Sequence, residues 1–290
     1  MHCCIRYFAA LLLLFAVPIA AENSRLHVPD AESQFVQIEL AIAAGRLTQA
    51  EAMLQSLEQQ LPDESRGRHM LLFAELNMAK GDSDATARAL TKVPADIADQ
   101  CRYGAIAGWL AYQEHQWNQT ITMLAKSLEI CPGDPGRWNL LGLALVQKNE
   151  MAAALEAYDQ ALTVAPNNPS LLNNRALAYA YSGNTAAALT DLEKAASFSN
   201  ETAIMANLST LRANAGLEMP FKPSQDAQTL SIIFASAGEG ANAAERHEAA
   251  RSYFAQAILQ SERFDNDLWT KANSTAVRSI TKSEDRTANP

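Results

Sequence analysis

Cysteine, histidine and asparagine are the residues of this 290-residue chain that could carry chemistry, so their spacing is read first. The histidines are His2, His27, His69, His115 and His247, and no two stand at metal-ligand spacing. No Gly-rich phosphate loop and no G-x-S-x-G elbow occurs. One S-x-x-K string, Ser279 to Lys282, falls in a tail read as disordered. There it lacks the fixed surroundings that activate a nucleophile. The expectation is a protein that is not an enzyme, with no catalytic residue, metal, cofactor or small-molecule substrate. Two chemistries survive. Cys101 and Cys131 could form a disulfide, and Asn139, Asn173, Asn174 and Asn207 present amides that both donate and accept.

Composition limits the partners. The chain is 48% hydrophobic, only 7% aromatic and poor in Gly and Pro, a profile that favours helices over a sheet-rich core. Its formal charge is −9 and its basic residues are dispersed. That excludes the basic patch of a nucleic-acid binder and makes an anionic membrane surface a poor partner.

The first residues read as an export signal. Arg6 precedes the apolar core AALLLLFAV, and PIAAEN ends in small residues. Cleavage is expected after Ala20 or Ala21, giving a leader over 1–21, with retention as an anchor the alternative. No second apolar segment follows, so no membrane span is expected after cleavage. Cys3 and Cys4 precede the apolar core, not follow it, so lipid attachment is not expected. The mature chain then keeps only Cys101 and Cys131, in an oxidising compartment.

The elements that position these residues recur every 34 residues. Gly108 and Gly142, Leu124 and Tyr158, Leu128 and Leu162, and Pro132 and Pro166 are each 34 apart. Gly45, Gly81, His115, Asn149, Gly183 and Gly216 form a second ladder, spaced 36, 34, 34, 34 and 33. Helices commonly end on a left-handed residue, where Gly costs least and Asn is the next choice. Ala154, Leu155, Tyr158, Ala161 and Leu162 then follow helical spacing. Each unit therefore reads as helix, tight turn, helix, turn. Gly142 and Ala154 are expected to face each other across one hairpin. Units are placed at 31–64, 67–100, 101–134, 135–168 and 169–201, with a partial one at 202–216. A linker over 217–226, a helical degenerate repeat or cap over 227–278 and a disordered tail over 279–290 complete the chain.

Residues 135–168 resemble the tetratricopeptide repeat, through Trp138, Leu141, Gly142, Leu145, Ala154, Tyr158, Ala161 and Pro166. Gly108, Leu124 and Pro132 extend the match to 101–134, where Thr120 and Ser127 replace the usual alanines. Ala176, Tyr179, Gly183, Ala188, Leu192 and Ala195 extend it to 169–201. Fewer signature residues mark the two units before 101. The resemblance implies an all-α, right-handed superhelical solenoid with a helical C-terminal cap. It also implies a concave groove, lined by the first helix of each unit, that binds a protein or peptide.

On that frame the groove residues are Trp109, Tyr112, Asn139, Leu143, Asn173, Asn174, Leu177 and Asn207. The asparagines would pair with an extended backbone, Trp109 and Tyr112 would anchor apolar groups, or these residues would be purely structural. Arg175 is expected to cover apolar surface with its stem and send its guanidinium to water. Lysine and arginine are missing from most inward positions, which argues against the family's capture of C-terminal carboxylates. Cys101 opens one helix and Cys131 closes its partner, so an antiparallel hairpin sets them side by side. A bond there would contribute about 3–4 kcal/mol. Two reduced thiols are the alternative.

The run NNRALAYAYSGNTAAALTDLEKAA, followed by ANLSTLRANAG, is similar to tight adherence pilus assembly proteins, TadD-like. That similarity implies an exported scaffold in the periplasm of a Gram-negative bacterium, serving assembly of an envelope machine. A periplasmic chaperone for another client, such as an apo-cytochrome or an outer-membrane protein, is the alternative.

Overall fold

The computed structural model describes residues 31–59, 61–94, 96–97, 99–218 and 226–261, with 268, 270, 271, 274 and 275 beyond them. The expected leader, the Ser279–Lys282 string, the tail and most of the linker lie outside the described residues. Among the described residues there are thirteen α-helices and no strand. Five hairpins come first. They are α1 (Ala31–Ala43) with α2 (Leu47–Glu58), α3 (Arg66–Lys80) with α4 (Ser83–Leu90), and α5 (Gln100–Gln113) with α6 (Trp117–Ile130). The fourth and fifth are α7 (Pro135–Gln147) with α8 (Met151–Val164), and α9 (Pro169–Tyr181) with α10 (Thr185–Phe198). Then come α11 (Thr202–Ala215), α12 (Ala227–Ala243) and α13 (His247–Gln260).

The bends follow the ladder. Gly45, Gly81, Gly183 and Gly216 have φ between 69° and 80°, and His115 and Asn149 adopt 59° and 60°. A seventh left-handed bend, unforeseen from the sequence, is Glu245 at φ 58°, between α12 and α13. The helix starts are fixed by side-chain caps. Asp134 accepts from the amides of Gly136 and Arg137, and Asn168 accepts from that of Leu171. Pro135 and Pro169 occupy the first helical turn, where a missing N–H costs nothing.

Within a hairpin, a glycine makes room for a large side chain sixteen positions later. A Cβ on Gly142 would lie 2.6 Å from the Tyr158 ring, and one on Gly108 would lie 2.7 Å from Leu124. Gly142 thus faces the Tyr158 ring, one turn on from Ala154 on the same helix. An aromatic ring needs the whole width that a missing side chain leaves. The same spacing recurs at Gly238, 2.6 Å by that measure from Phe254, and Ala250 and Ala257 are fully buried beside it. The α12–α13 pair is therefore another unit. Helix α11 stands before it and packs directly on α12, with no other helix between them among the described residues. There Thr210 donates to the Ser236 carbonyl (3.1 Å) and Asn214 to that of Gly240 (3.3 Å).

Hairpins stack because each buries its apolar stripe only against a neighbour. Each second helix packs on its own first helix and on the first helix of the next unit. From α1 to α11, each first helix also touches the next. The first helices are thus the more closely spaced layer, and a stack curves toward that layer.

Candidate functional site

The inner layer divides into two chemical halves. In its N-terminal half, Glu39 of α1 accepts from Arg68 of α3 (3.0 Å) and from Arg102 of α5 (2.9 Å). Arg68 also binds Glu32, and Arg102 lies 3.0 Å from Glu75 and 3.2 Å from Asp99. Burial opposes ionisation of Glu39, but the two guanidiniums outweigh it and hold its carboxyl below the usual range. For Glu75 burial prevails and pushes the carboxyl up. Arg68 and Arg102 stand on first helices. Both are already engaged by carboxylates.

In the C-terminal half the first helices are joined to one another by uncharged amides. Asn207 of α11 donates to Asn173 of α9 (2.8 Å), Asn173 donates to its neighbour Asn174 (3.3 Å), and Asn174 donates to Asn139 of α7 (2.8 Å). All four amides are half-buried. Their spacing puts three of them at one register position on successive first helices, where side-chain amides reach one another. Asn174 is one residue off that register and closes the gap. Within this chain Asn174 and Asn173 each spend one N–H, and each side chain carries two. Each keeps a second donor for another group.

Asn174 also lines a cavity of about 440 Å³ between α7 and α9. Leu143, Val146, Leu177, Tyr158 and Tyr181 form its apolar walls. Leu143, Asn174 and Leu177 are thus brought together, while Asn139, Asn173 and Asn207 reach the cavity only through the amide chain. Trp109 and Tyr112 do not line it. Trp109 is half-buried on α5. Tyr112 sets its ring edge against Trp117 (5.3 Å), which also meets His115 (5.1 Å), so it packs at the bend. Sequence reasoning missed Tyr181, which is 73% exposed. The signal was there: it lies one helical turn beyond Leu177.

Arg175 behaves differently from the expectation. Its guanidinium does not run to water but grips the buried Asp191 of α10 with two bonds (2.7 and 2.8 Å) and reaches Asp159 of α8 (2.6 Å). Hydrogen bonding to Asp191 raises its pKa further despite burial. Asp191 lies sixteen residues ahead across the hairpin, Asp159 sixteen residues behind on the second helix of the preceding unit, and the fork geometry rewards two carboxylates over solvent.

The remaining candidates lie outside this cavity. Cys101 and Cys131 are joined by a disulfide. His69 is buried with Nε2 2.9 Å from the Leu54 carbonyl oxygen. Among the described residues no group of His, Cys, Asp and Glu could hold a metal ion, and no helix is long and apolar enough to cross a membrane.

Residues 144–212 match the tetratricopeptide repeat family. Over that stretch the chain carries tetratricopeptide repeats. The solved structure of the APC/C hetero-tetramer Cut9–Hcn1 is similar over 86% of this chain and 50% of that one, with 13% identity and a TM-score of 0.58. That likeness is one of fold. MamA (AMB-1) matches 58% of this chain and 98% of its own, at 22% identity and a TM-score of 0.45. YrrB, described as a TPR protein with an unusual peptide-binding site, matches 61% of this chain and 90% of its own, at 18% identity and 0.46. No curated protein matches the sequence. Within the tetratricopeptide frame, Asn139, Asn173 and Asn207 share one register position, and Trp109, Leu143 and Leu177 share another.

Proposed function

We propose that this tetratricopeptide chain is a non-enzymatic scaffold that binds a protein partner through an extended segment laid along α7, α9 and α11. The carrying observation is that Asn174 belongs both to the amide chain and to the wall of the apolar cavity. An extended peptide needs donors and acceptors for its backbone and pockets for alternate side chains. The amide chain supplies the first and the Leu143–Leu177–Tyr181 cavity the second. Because the amide chain and the cavity lining are uncharged, recognition is of backbone and apolar side chains, not of a charged terminus.

The leader-like N-terminus and the similarity to TadD-like proteins support an exported, periplasmic scaffold in assembly of a cell-envelope machine such as a tight adherence pilus. The test is site-specific photo-crosslinking in cells. A crosslinker at Tyr181 is expected to capture a defined partner, and one at Thr190 on the second-helix layer is not. That capture should disappear in the Asn139→Ala/Asn173→Ala double variant. Equal capture from both positions would overturn the groove reading. Capture of a partner outside the envelope would overturn the assignment to envelope assembly.

A further inference from the structure

The disulfide joins two sulfurs in opposite electrostatic settings. Cys101 lies in the first turn of the 14-residue helix α5, the end where helix dipoles favour negative charge. Arg137 Nη1 lies 2.6 Å from its sulfur and 3.3 Å from Ser127 Oγ. Ser127 is turned away, donating to the Cys101 carbonyl (2.7 Å). Cys131 is the C-cap of α6, the end that disfavours negative charge. Cys101 is 9% exposed, whereas Cys131 is more accessible. One sulfur is thus set up to carry charge and the other to be reached.

We propose that this disulfide is an exchange site for an external thiol, with attack directed to Cys131. A thiolate attacks Cys131 Sγ, the Sγ–Sγ bond breaks, and its electron pair leaves on Cys101 as a thiolate held by Arg137. The incoming sulfur is then bonded to Cys131 as a mixed disulfide. With a dithiol reagent, its second thiolate attacks the reagent's bound sulfur and releases Cys131 as a thiolate. Two electrons have then passed from the dithiol to the cystine. With a monothiol, Cys101 can re-attack Cys131 and expel the reagent as a thiolate, so the adduct stands at an equilibrium level that excess reagent raises. Lower leaving-group pKa speeds such exchange, and a cation with a helix N-terminus is the setting that lowers a thiol's pKa.

The other groups around Cys101 are few. Asp134 pairs with Arg137 Nε at 3.0 Å, and Asp99 and Arg102 flank the cysteine on its own helix. Glu75 reaches toward Arg102 from α3, and burial pushes its carboxyl up. The α6 group at the sulfur's guanidinium is the uncharged Ser127.

The test treats the folded full chain with glutathione, quenches with acid, alkylates, and maps each cysteine by peptide mass, so that Cys3 and Cys4 are read separately. Glutathione is expected on Cys131 with Cys101 free. In the reduced protein, iodoacetamide labelling of Cys101 should reach half-maximum about one pH unit or more below the ~8.5 of a free thiol. Arg137→Gln should raise that midpoint and slow opening several-fold, with Arg137→Lys restoring part of both. Glutathione on Cys101, no adduct at all, or a Cys101 midpoint at or above ~8.5 would overturn the proposal. A midpoint that Arg137→Gln leaves unmoved would do the same.

Discussion

Asn207 donates its amide to Asn173, thirty-four residues earlier and one first helix away, at 2.8 Å. The repeat period thus becomes a hydrogen-bonded chain that crosses three units. Replacing Asn139 and Asn173 by alanine should therefore cost some stability, about 1 kcal/mol, because half-buried amides lose partners. If the chain also grips a peptide, partner affinity should fall by more than about tenfold, a larger loss in free energy (~1.4 kcal/mol). Urea unfolding and calorimetric titration with the crosslinked partner measure the two. Unchanged affinity would make the chain a purely structural device.

Gly142→Ala should destabilise the protein by about 1–3 kcal/mol, since the new methyl meets the Tyr158 ring. Adding Tyr158→Leu should recover much of that loss. The next unit already uses that combination, Ala176 with Leu192, both fully or almost fully buried. A double-mutant cycle by chemical denaturation checks the coupling. Independent, additive losses would contradict the contact.

Arg175→Met should cost about 3–5 kcal/mol, because Asp191 is left buried without its cation. The Arg175→Met/Asp191→Asn pair should regain most of it. Thermal and urea unfolding of the three variants would show this. A mild effect of the single change would mean that the pair is solvated.

The Glu75 carboxyl has its pKa raised by burial above 4.5. A raised carboxyl pKa gives stability that is fully present below the unfolded value and lost as pH rises through the folded one. Glu75→Gln should thus gain on the native chain as pH rises above 4.5, then level off. Arg102 keeps Glu39 and Asp99 in that variant. Urea unfolding across this range measures the difference. A difference that is flat with pH would show that Glu75 ionises as it does in the unfolded chain.

The period of 34 made the hairpins and six bends legible, because glycine spacing and apolar spacing repeat together. Glu245 was not legible, since glutamate has no preference for left-handed backbone and its position is held by the α12–α13 packing. Asn173 and Asn174 differ by one residue, about 100° of helix rotation. That rotation, which sequence does not reveal, puts Asn174 and not Asn173 in the cavity wall. Arg175 was misread for a related reason: its partners sit on two other helices, Asp191 brought to it by the hairpin and Asp159 by the stacking of the preceding unit. Tyr112 was read as a groove anchor, yet its ring meets Trp117 at the bend, a contact between helices that its own helix cannot show.

Glu39 binds cations on two later first helices at once. It therefore fixes the interval between three units as a ruler would. Dissolved salt weakens such charge pairs and leaves uncharged amide contacts largely untouched. Ionic strength should accordingly loosen the direct ties between first helices in the N-terminal half and spare the asparagine ties between first helices that lie beside the cavity. The inner layer then has a zone whose compliance the medium sets, next to one whose spacing it does not.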